Sequence, residues 1–124
     1  MSWDMVIVKI RGDFRPIAQV KADDYVPLAP LQAVQTALRT AFPSANWCSP
    51  SWVVYSGKDL ASGKEFAIEF SLESVEPAHA VSLHAHGPAD PVPSLLRLTE
   101  PNGWLIVDCS SGQFIDPNNP SYEG

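Results

Sequence analysis

The sequence predicts an α+β fold, with a mostly antiparallel sheet of about five strands and two helices on one face of that sheet. Residues 65–72 carry a large apolar side chain at every second position, with Glu, Ala or Ser between them, which is typical of a strand with one buried face. Residues 80–86 alternate in the same way beyond a turn at Glu76 and Pro77, so the two segments predict an antiparallel hairpin. Apolar residues at helical spacing over residues 28–41 predict a helix that covers the sheet.

The first strand is predicted at residues 5–10, where β-branched side chains follow one another. Because this run is apolar on both faces, it favours a central position in the sheet. Residues 11–26 contain helix breakers and a charged stretch, and they predict an irregular connection. The helix over residues 28–41 includes Pro30, which suits a first helical turn, and it ends before Pro43.

A loop over residues 43–51 leads to a strand at residues 52–55, and a connection that contains glycines leads on to the strand at residues 65–72. Asp90 and Pro91 predict the start of a second helix. A carboxylate there can accept the free amide hydrogens of the first helical turn, and proline fits that turn because it lacks an amide hydrogen.

The second helix is expected to end near Glu100, and residues 104–109 predict the last strand. The predicted order of elements is therefore β-α-β-β-β-α-β. Residues 117–124 contain too little apolar surface to pack independently, so we expect a flexible tail after a single domain over residues 1–116.

Charge is divided unevenly along the chain. Residues 1–64 carry seven Lys or Arg against five Asp or Glu, whereas residues 65–124 carry one basic residue, Arg97, against nine carboxylates. A negative surface attracts basic proteins and repels nucleic acid and anionic membranes. We therefore expect a basic protein partner, no nucleic acid and no membrane.

The predicted binding face combines acidic side chains of the second half with an aromatic residue in a loop. Aromatic side chains often anchor protein interfaces that charge helps to assemble. The candidate binding residues are Glu65, Glu69, Glu73, Asp90, Asp108 and Trp47. Among the other tryptophans, Trp52 and Trp104 are predicted in the core, and the pattern leaves Trp3 undecided.

His84 and His86 lie two positions apart on a predicted strand, so their imidazoles point to the same side. Glu69 is a third candidate ligand across the predicted hairpin. Two histidines and one carboxylate suit zinc or ferrous iron. The alternative interpretation is a solvated pair of histidines without a metal.

Thiol chemistry has little support in the pattern. Cys109 follows Asp108, but it shares strand parity with Leu105 and Val107, which predicts a small buried core residue. The sequence contains no glycine-rich phosphate loop and no serine elbow motif. Catalytic residues are therefore not predicted.

The chain has no apolar run of the ~18–20 residues that span a membrane, and residues 1–13 lack the features of a signal peptide. We therefore expect a cytoplasmic protein. Cys48 and Cys109 could form one disulfide, but reduced thiols are expected in a reducing cytoplasm.

Several segments of the chain resemble a known family. They are SPSW at residues 49–52, FAIEFSLESVEPAHAVSLHAHG at residues 66–87 and GWLIVDCSSGQFID at residues 103–116. These segments are similar to those of a family of small, acidic, uncharacterised bacterial proteins. The resemblance implies a bacterial cytosolic domain of the immunity-protein kind, which neutralises a toxin. His86 and the GPAD loop depart from the family pattern, so the resemblance implies no role for that loop.

Three classes of function remain open at this stage. The first is a non-catalytic, acidic module that binds a basic protein. The second is a metal protein or enzyme that uses His84, His86 and Glu69. The third is a homodimer whose open sheet face pairs across a two-fold axis, although faces of like charge would repel each other.

Overall fold

A computed structural model describes residues 2–59, 62–73 and 75–116 of the chain. These residues form an antiparallel sheet of eight strands and two α-helices, which confirms the α+β fold class. The strands are β1 (Ser2–Ile10), β2 (Tyr25–Val26), β3 (Asn46–Ser49), β4 (Trp52–Lys58), β5 (Glu65–Leu72), β6 (Val81–His86), β7 (Leu105–Asp108) and β8 (Gln113–Phe114). The helices are α1 (Leu31–Ala41) and α2 (Val92–Thr99).

The strands are ordered β3-β4-β5-β6-β1-β7-β8, and β2 pairs with the end of β1. All of these pairings are antiparallel. The hairpin of β5 and β6 forms as predicted, with Phe70 opposite Leu83. β1 lies between β6 and β7, so the prediction of a central first strand is also confirmed.

Both helices pack against the same face of the sheet. Val34 and Leu38 of α1 are buried in one cluster with the inward residues of the sheet, as are Val92, Leu95 and Leu98 of α2. The inward residues of the central strands include Met5, Ile7, Phe66, Ile68, Phe70, Val81, Leu83, Ala85 and Ile106. Alternation along each strand places the intervening side chains on the opposite face.

The first helix begins at Leu31 rather than at residue 28. The reason is that Leu28 and Ala29 exchange backbone hydrogen bonds with Ala78, which holds them in an extended bridge. Pro30 precedes the helix and has no side-chain acceptor, but Glu76 Oε1 accepts a hydrogen bond from Leu31 N at 3.0 Å. The turn between β5 and β6 therefore caps the start of α1.

The predicted set of five strands is incomplete, because the structure adds β2, β3 and β8. The sequence predicts a loop at β3, because these residues lie between Pro43 and Pro50 and include polar side chains. Trp47 of this segment nevertheless pairs with Val53 of β4. β2 and β8 have two residues each, and only their strand neighbours define them.

The predicted tail at residues 117–124 lies outside the described residues. Within the part of the chain that the structure describes, the helices are too short to cross a membrane.

We predict that the two faces of β5 differ sharply in their contribution to stability. Phe70 is fully buried, and its ring centroid lies 5.5 Å from that of Phe42, the residue that directly follows α1. Phe70→Ala should lower the free energy of unfolding by about 3–5 kcal/mol, because it leaves a cavity between sheet and helix. The matched control is Ser71→Ala, which changes the exposed next residue and should cost less than about 0.5 kcal/mol. Urea unfolding measures both, and equal losses would contradict the assigned faces.

Candidate functional site

The face of the sheet that points away from the helices carries several of the residues predicted for the site. We call it the open face. It comprises Asp4 and Val6 of β1, Trp52, Val54, Ser56 and Lys58 of β4, Glu65, Ala67, Glu69 and Ser71 of β5, and Ser82, His84 and His86 of β6. Each of these side chains is exposed or half-buried, whereas their strand neighbours Ile68 and Leu83 are buried.

A row of polar side chains crosses the centre of the open face. Glu69 of β5 lies directly opposite His84 of β6, and His84 lies directly opposite Asp4 of β1. Directly opposed residues on one face have Cβ atoms about 4.5–5.5 Å apart. The His84 Nδ1 atom contacts the Asp4 Oδ1 atom. One imidazole therefore lies between two carboxylate-bearing positions.

His86 continues the polar surface along β6. Its ring centroid lies 5.1 Å from that of His84, and the two ring planes meet at 73°. Ala67 lies opposite His86 on β5, so a small side chain leaves space beside the ring. The prediction that both imidazoles share one face of a strand is consistent with these positions.

Trp52 lies on the open face, and the prediction that it belongs to the core is wrong. Its exposed fraction is 47%, whereas that of the next residue, Val53, is 1%. The strand therefore directs Val53 toward the helices and Trp52 away from them. Ser71 lies opposite Trp52, and Ser82 lies opposite Ser71. These small neighbours leave the indole uncovered on that side.

The open face becomes apolar beyond β1. Val6 lies opposite Val107 of β7, and Val107 lies opposite Phe114 of β8. The Phe114 ring lies 6.0 Å from that of Phe14, which comes from the connection after β1. This connection partly covers the β7–β8 side. Because the outward residues there are apolar, the polar side chains of the face are concentrated on β4, β5, β6 and the start of β1.

The six residues predicted from charge and aromatic content do not form one face. Glu65 and Glu69 lie together on the open face. Glu73 instead accepts hydrogen bonds from the backbone amides of His79 and Ala80, at 3.1 and 2.7 Å. Its carboxylate therefore shapes the connection between β5 and β6.

Asp90 acts as predicted at the start of the second helix, where its Oδ1 accepts a hydrogen bond from Val92 N at 2.9 Å. A carboxylate in this position satisfies an amide that lacks a partner within the helix. This role holds Asp90 at the helix end rather than on the open face.

Asp108 organises the end of β7. Its carboxylate accepts hydrogen bonds from Trp3 Nε1 at 2.6 Å, Ser110 N at 2.9 Å and Ser111 Oγ at 3.2 Å. Partial burial raises the pKa of Asp108, but the hydrogen bonds from Trp3, Ser110 and Ser111 outweigh burial and lower this pKa below its ordinary value of 3.8. The contact also locates Trp3, which the sequence left undecided, against the turn after β7.

Trp47 lies in β3 rather than in a loop, and it is half-buried. The guanidinium carbon of Arg39 on α1 lies 4.2 Å from the centre of its ring, which is a cation–π contact. Trp47 therefore joins the edge of the sheet to the first helix. The remaining tryptophan, Trp104, is buried as predicted.

Cys109 is exposed, so the prediction of a buried core residue is wrong. β7 ends at Asp108, and Cys109 enters the turn that follows, where strand parity no longer applies. Local desolvation, with smaller contributions from the carboxylates of Asp4 and Asp108, raises the pKa of the Cys109 thiol. A raised pKa disfavours the nucleophilic thiolate. Cys48 is also exposed, and both thiols are free.

The predicted metal ligands lie close together on the open face, with Glu69 opposite His84 and His86 two residues further along β6. Among residues 2–59, 62–73 and 75–116, however, no group of three or more His, Cys, Asp or Glu side chains is arranged to hold a metal ion. The set of Glu69, His84 and His86 as three ligands therefore stays a prediction.

The sequence pattern misses two residues of the open face. It predicts a first strand that begins at residue 5 and so leaves out Asp4, although Asp4 and Val6 flank buried Met5 on the same side of the strand. It places Trp52 in the core because aromatic residues are common there. The parity of Val53 and Tyr55 was the available signal for the outward direction of Trp52.

Comparisons of the chain with protein-family models, with curated proteins and with solved structures find no match.

We predict that Asp108→Asn destabilises the fold at neutral pH. A carboxyl group with a lowered folded-state pKa contributes stability above its unfolded-state pKa, and this contribution is lost as the pH falls through the folded-state value. The variant should lose about 1–3 kcal/mol of unfolding free energy at pH 7, because hydrogen bonds to a charged acceptor are weakened. The difference from the unmodified protein should shrink below pH 4.

Denaturant unfolding at pH 7 and at pH 3 checks this prediction. Asp23→Asn is the control, because it removes an exposed aspartate elsewhere on the chain. A destabilisation by Asp108→Asn that is equally large at both pH values would show that the charge of Asp108 is not the cause.

Proposed function

We propose that this protein is a non-catalytic binding module that uses the open face to bind a basic protein. The observation that carries the proposal is the position of the exposed Trp52 on a sheet face that also carries Asp4, Glu65 and Glu69. Large exposed aromatic side chains next to charge are typical of the energetic centre of a protein interface.

Charge supports a basic rather than an acidic partner. The open face carries three carboxylates, on Asp4, Glu65 and Glu69, against one basic residue, Lys58, opposite Glu65. Arg39 and Arg97 belong to the helices, where they lie over the rings of Trp47 and Phe42. The formal charge of the open face is therefore net negative. Such a field raises the association rate with a cationic partner.

Shape supports an anchor at Trp52. Ser71 and Ser82 continue its row across the sheet, and Val6 follows them. The indole thus stands beside a low strip formed by small side chains. A partner side chain can lie on this strip and contact the indole, while basic groups reach Glu69 and Asp4 in the adjacent row.

The other classes of function have less support. The raised pKa of the Cys109 thiol disfavours thiol catalysis. Pairing of two copies through the open face would bring Glu65 and Glu69 close to the carboxylates of the second copy, and these like charges repel each other. The immunity-like role implied by the sequence resemblance agrees with the proposed binding of a basic protein, since many toxins that act on nucleic acid are themselves basic.

The proposal predicts that charge reversal on the open face abolishes partner binding. The immobilised protein is exposed to lysate of its source organism at low salt, and captured proteins are identified by mass spectrometry. The strongest basic candidate is then purified and its affinity measured. Glu65→Lys with Glu69→Lys should remove binding, and the affinity of the unmodified protein should fall steeply with salt as electrostatic attraction is screened.

The matched control is Asp23→Lys with Glu100→Lys. It makes the same change in net charge at two exposed positions outside the open face, so it should retain most of the affinity. Unfolding curves confirm that each variant is folded. Equal loss of binding in the two double variants would contradict a specific face, and salt-independent binding would contradict electrostatic steering.

A separate prediction concerns the aromatic anchor. Trp52→Ala should weaken binding of the purified partner by about 2 kcal/mol or more, which is roughly 30-fold in Kd. Trp52 is exposed, so the loss of folding stability should be small in comparison with that of Phe70→Ala. Calorimetric titration measures the affinity. Unchanged affinity would remove Trp52 from the interface.

A further inference from the structure

We propose that His84 and His86 together bind one divalent transition-metal ion, with Asp4 positioning the His84 ring. This site differs from the predicted set of three protein ligands, because Glu69 is not required and Asp4 acts through the imidazole. It also goes beyond the proposed binding of a basic protein, since it needs no partner.

The spacing of the two rings fits a shared ion. Two ring nitrogens bound to one tetrahedral zinc ion at ~2.0–2.1 Å place the ring centroids about 5 Å apart. The centroids of His84 and His86 are 5.1 Å apart, and their planes meet at 73° rather than stacking. The small side chain of Ala67 opposite His86 leaves room for an ion and its water ligands.

Asp4 determines which nitrogen of His84 is available. Its Oδ1 atom contacts His84 Nδ1. A carboxylate only accepts hydrogen bonds, so this contact places the proton of the neutral ring on Nδ1 and leaves the lone pair on Nε2. Metal-bound histidines commonly have such a carboxylate on the second nitrogen, which fixes the orientation of the ring.

The chemistry of the donors selects the class of ion. Imidazole nitrogen suits Zn²⁺, Ni²⁺ and Cu²⁺, whereas Mg²⁺ and Ca²⁺ prefer oxygen ligands. Both rings lie on a surface that solvent reaches, so water completes the coordination shell. The site therefore binds borderline and soft divalent ions in preference to hard ones.

Calorimetric titration of the full chain with ZnCl₂ at constant pH tests the proposal. The unmodified protein should bind one Zn²⁺ ion per chain and should give no comparable signal with MgCl₂. His84→Ala and His86→Ala should each abolish binding. His79→Ala is the matched control, because it removes the third histidine, which is exposed in the connection between β5 and β6, and it should leave the affinity unchanged.

A test of Asp4 must separate an effect on the His84 ring from a general loss of folded structure. Asp4→Asn should weaken zinc binding by about 10- to 100-fold. In the metal-free variant, the imidazole ¹⁵N chemical shifts of His84 should lose the pattern of a proton held on Nδ1, while urea unfolding remains close to that of the unmodified protein.

Several results would overturn the site. One is an absence of saturable zinc binding by the folded, unmodified protein. Another is zinc binding that survives in His84→Ala and His86→Ala. A third is a loss of zinc affinity in His79→Ala as large as that in the other two variants. Because these titrations contain no partner, their failure would leave the proposed binding of a basic protein intact, and failure to find a partner would leave the zinc result unaffected.

Discussion

Burial of one face of the antiparallel sheet beneath α1 and α2 is the constraint on which the rest of the structure depends. Ile7, Ile68 and Phe70 are fully buried on that face, and burial of each side chain contributes about 1.5–3 kcal/mol relative to exposure. Because side chains alternate along a strand, each residue drawn inward directs its neighbours outward. A shift of β6 by one residue would exchange His84 for buried Leu83, so the core determines the composition of the open face.

The parts of the fold that the sequence predicts well are those with a long internal pattern. The alternation of residues 65–72 and the helical spacing up to residue 41 follow directly from which side chains must be buried. The short strands β2, β3 and β8 have two to four residues and carry no such pattern. Pairing with a neighbouring strand defines each of them, and that pairing depends on contacts distant in sequence.

For the open face too, the sequence predicts features that depend on neighbouring residues but not contacts between residues distant in sequence. The parity that places Glu65, Glu69, His84 and His86 on one face can be read along each strand. The contact of Asp4 with His84 joins residues 80 positions apart, and it depends on the placement of β1 beside β6. The number of carboxylates in the sequence likewise does not show which of them are available for binding. Glu69 lies on the open face, whereas the Asp108 carboxylate accepts hydrogen bonds from the turn after β7. Hydrogen-bond partners make that distinction, and they are a property of the folded chain.

The central place of β1 affects how the chain folds as well as what it displays. β1 is the first of these strands to be synthesised, yet β6 and β7, which pair with it over more residues than β2 does, come much later. The Trp3–Asp108 contact spans 105 positions, so loop closure must precede much of the stabilising sheet pairing and folding should be slow for the size of the chain. Until β7 is synthesised and pairs, one edge of the apolar strand β1 stays unpaired. Unpaired strand edges can form hydrogen bonds with strands of other chains, which leads to aggregation. Folding yield should therefore depend on protein concentration more than the stability of the finished fold would suggest.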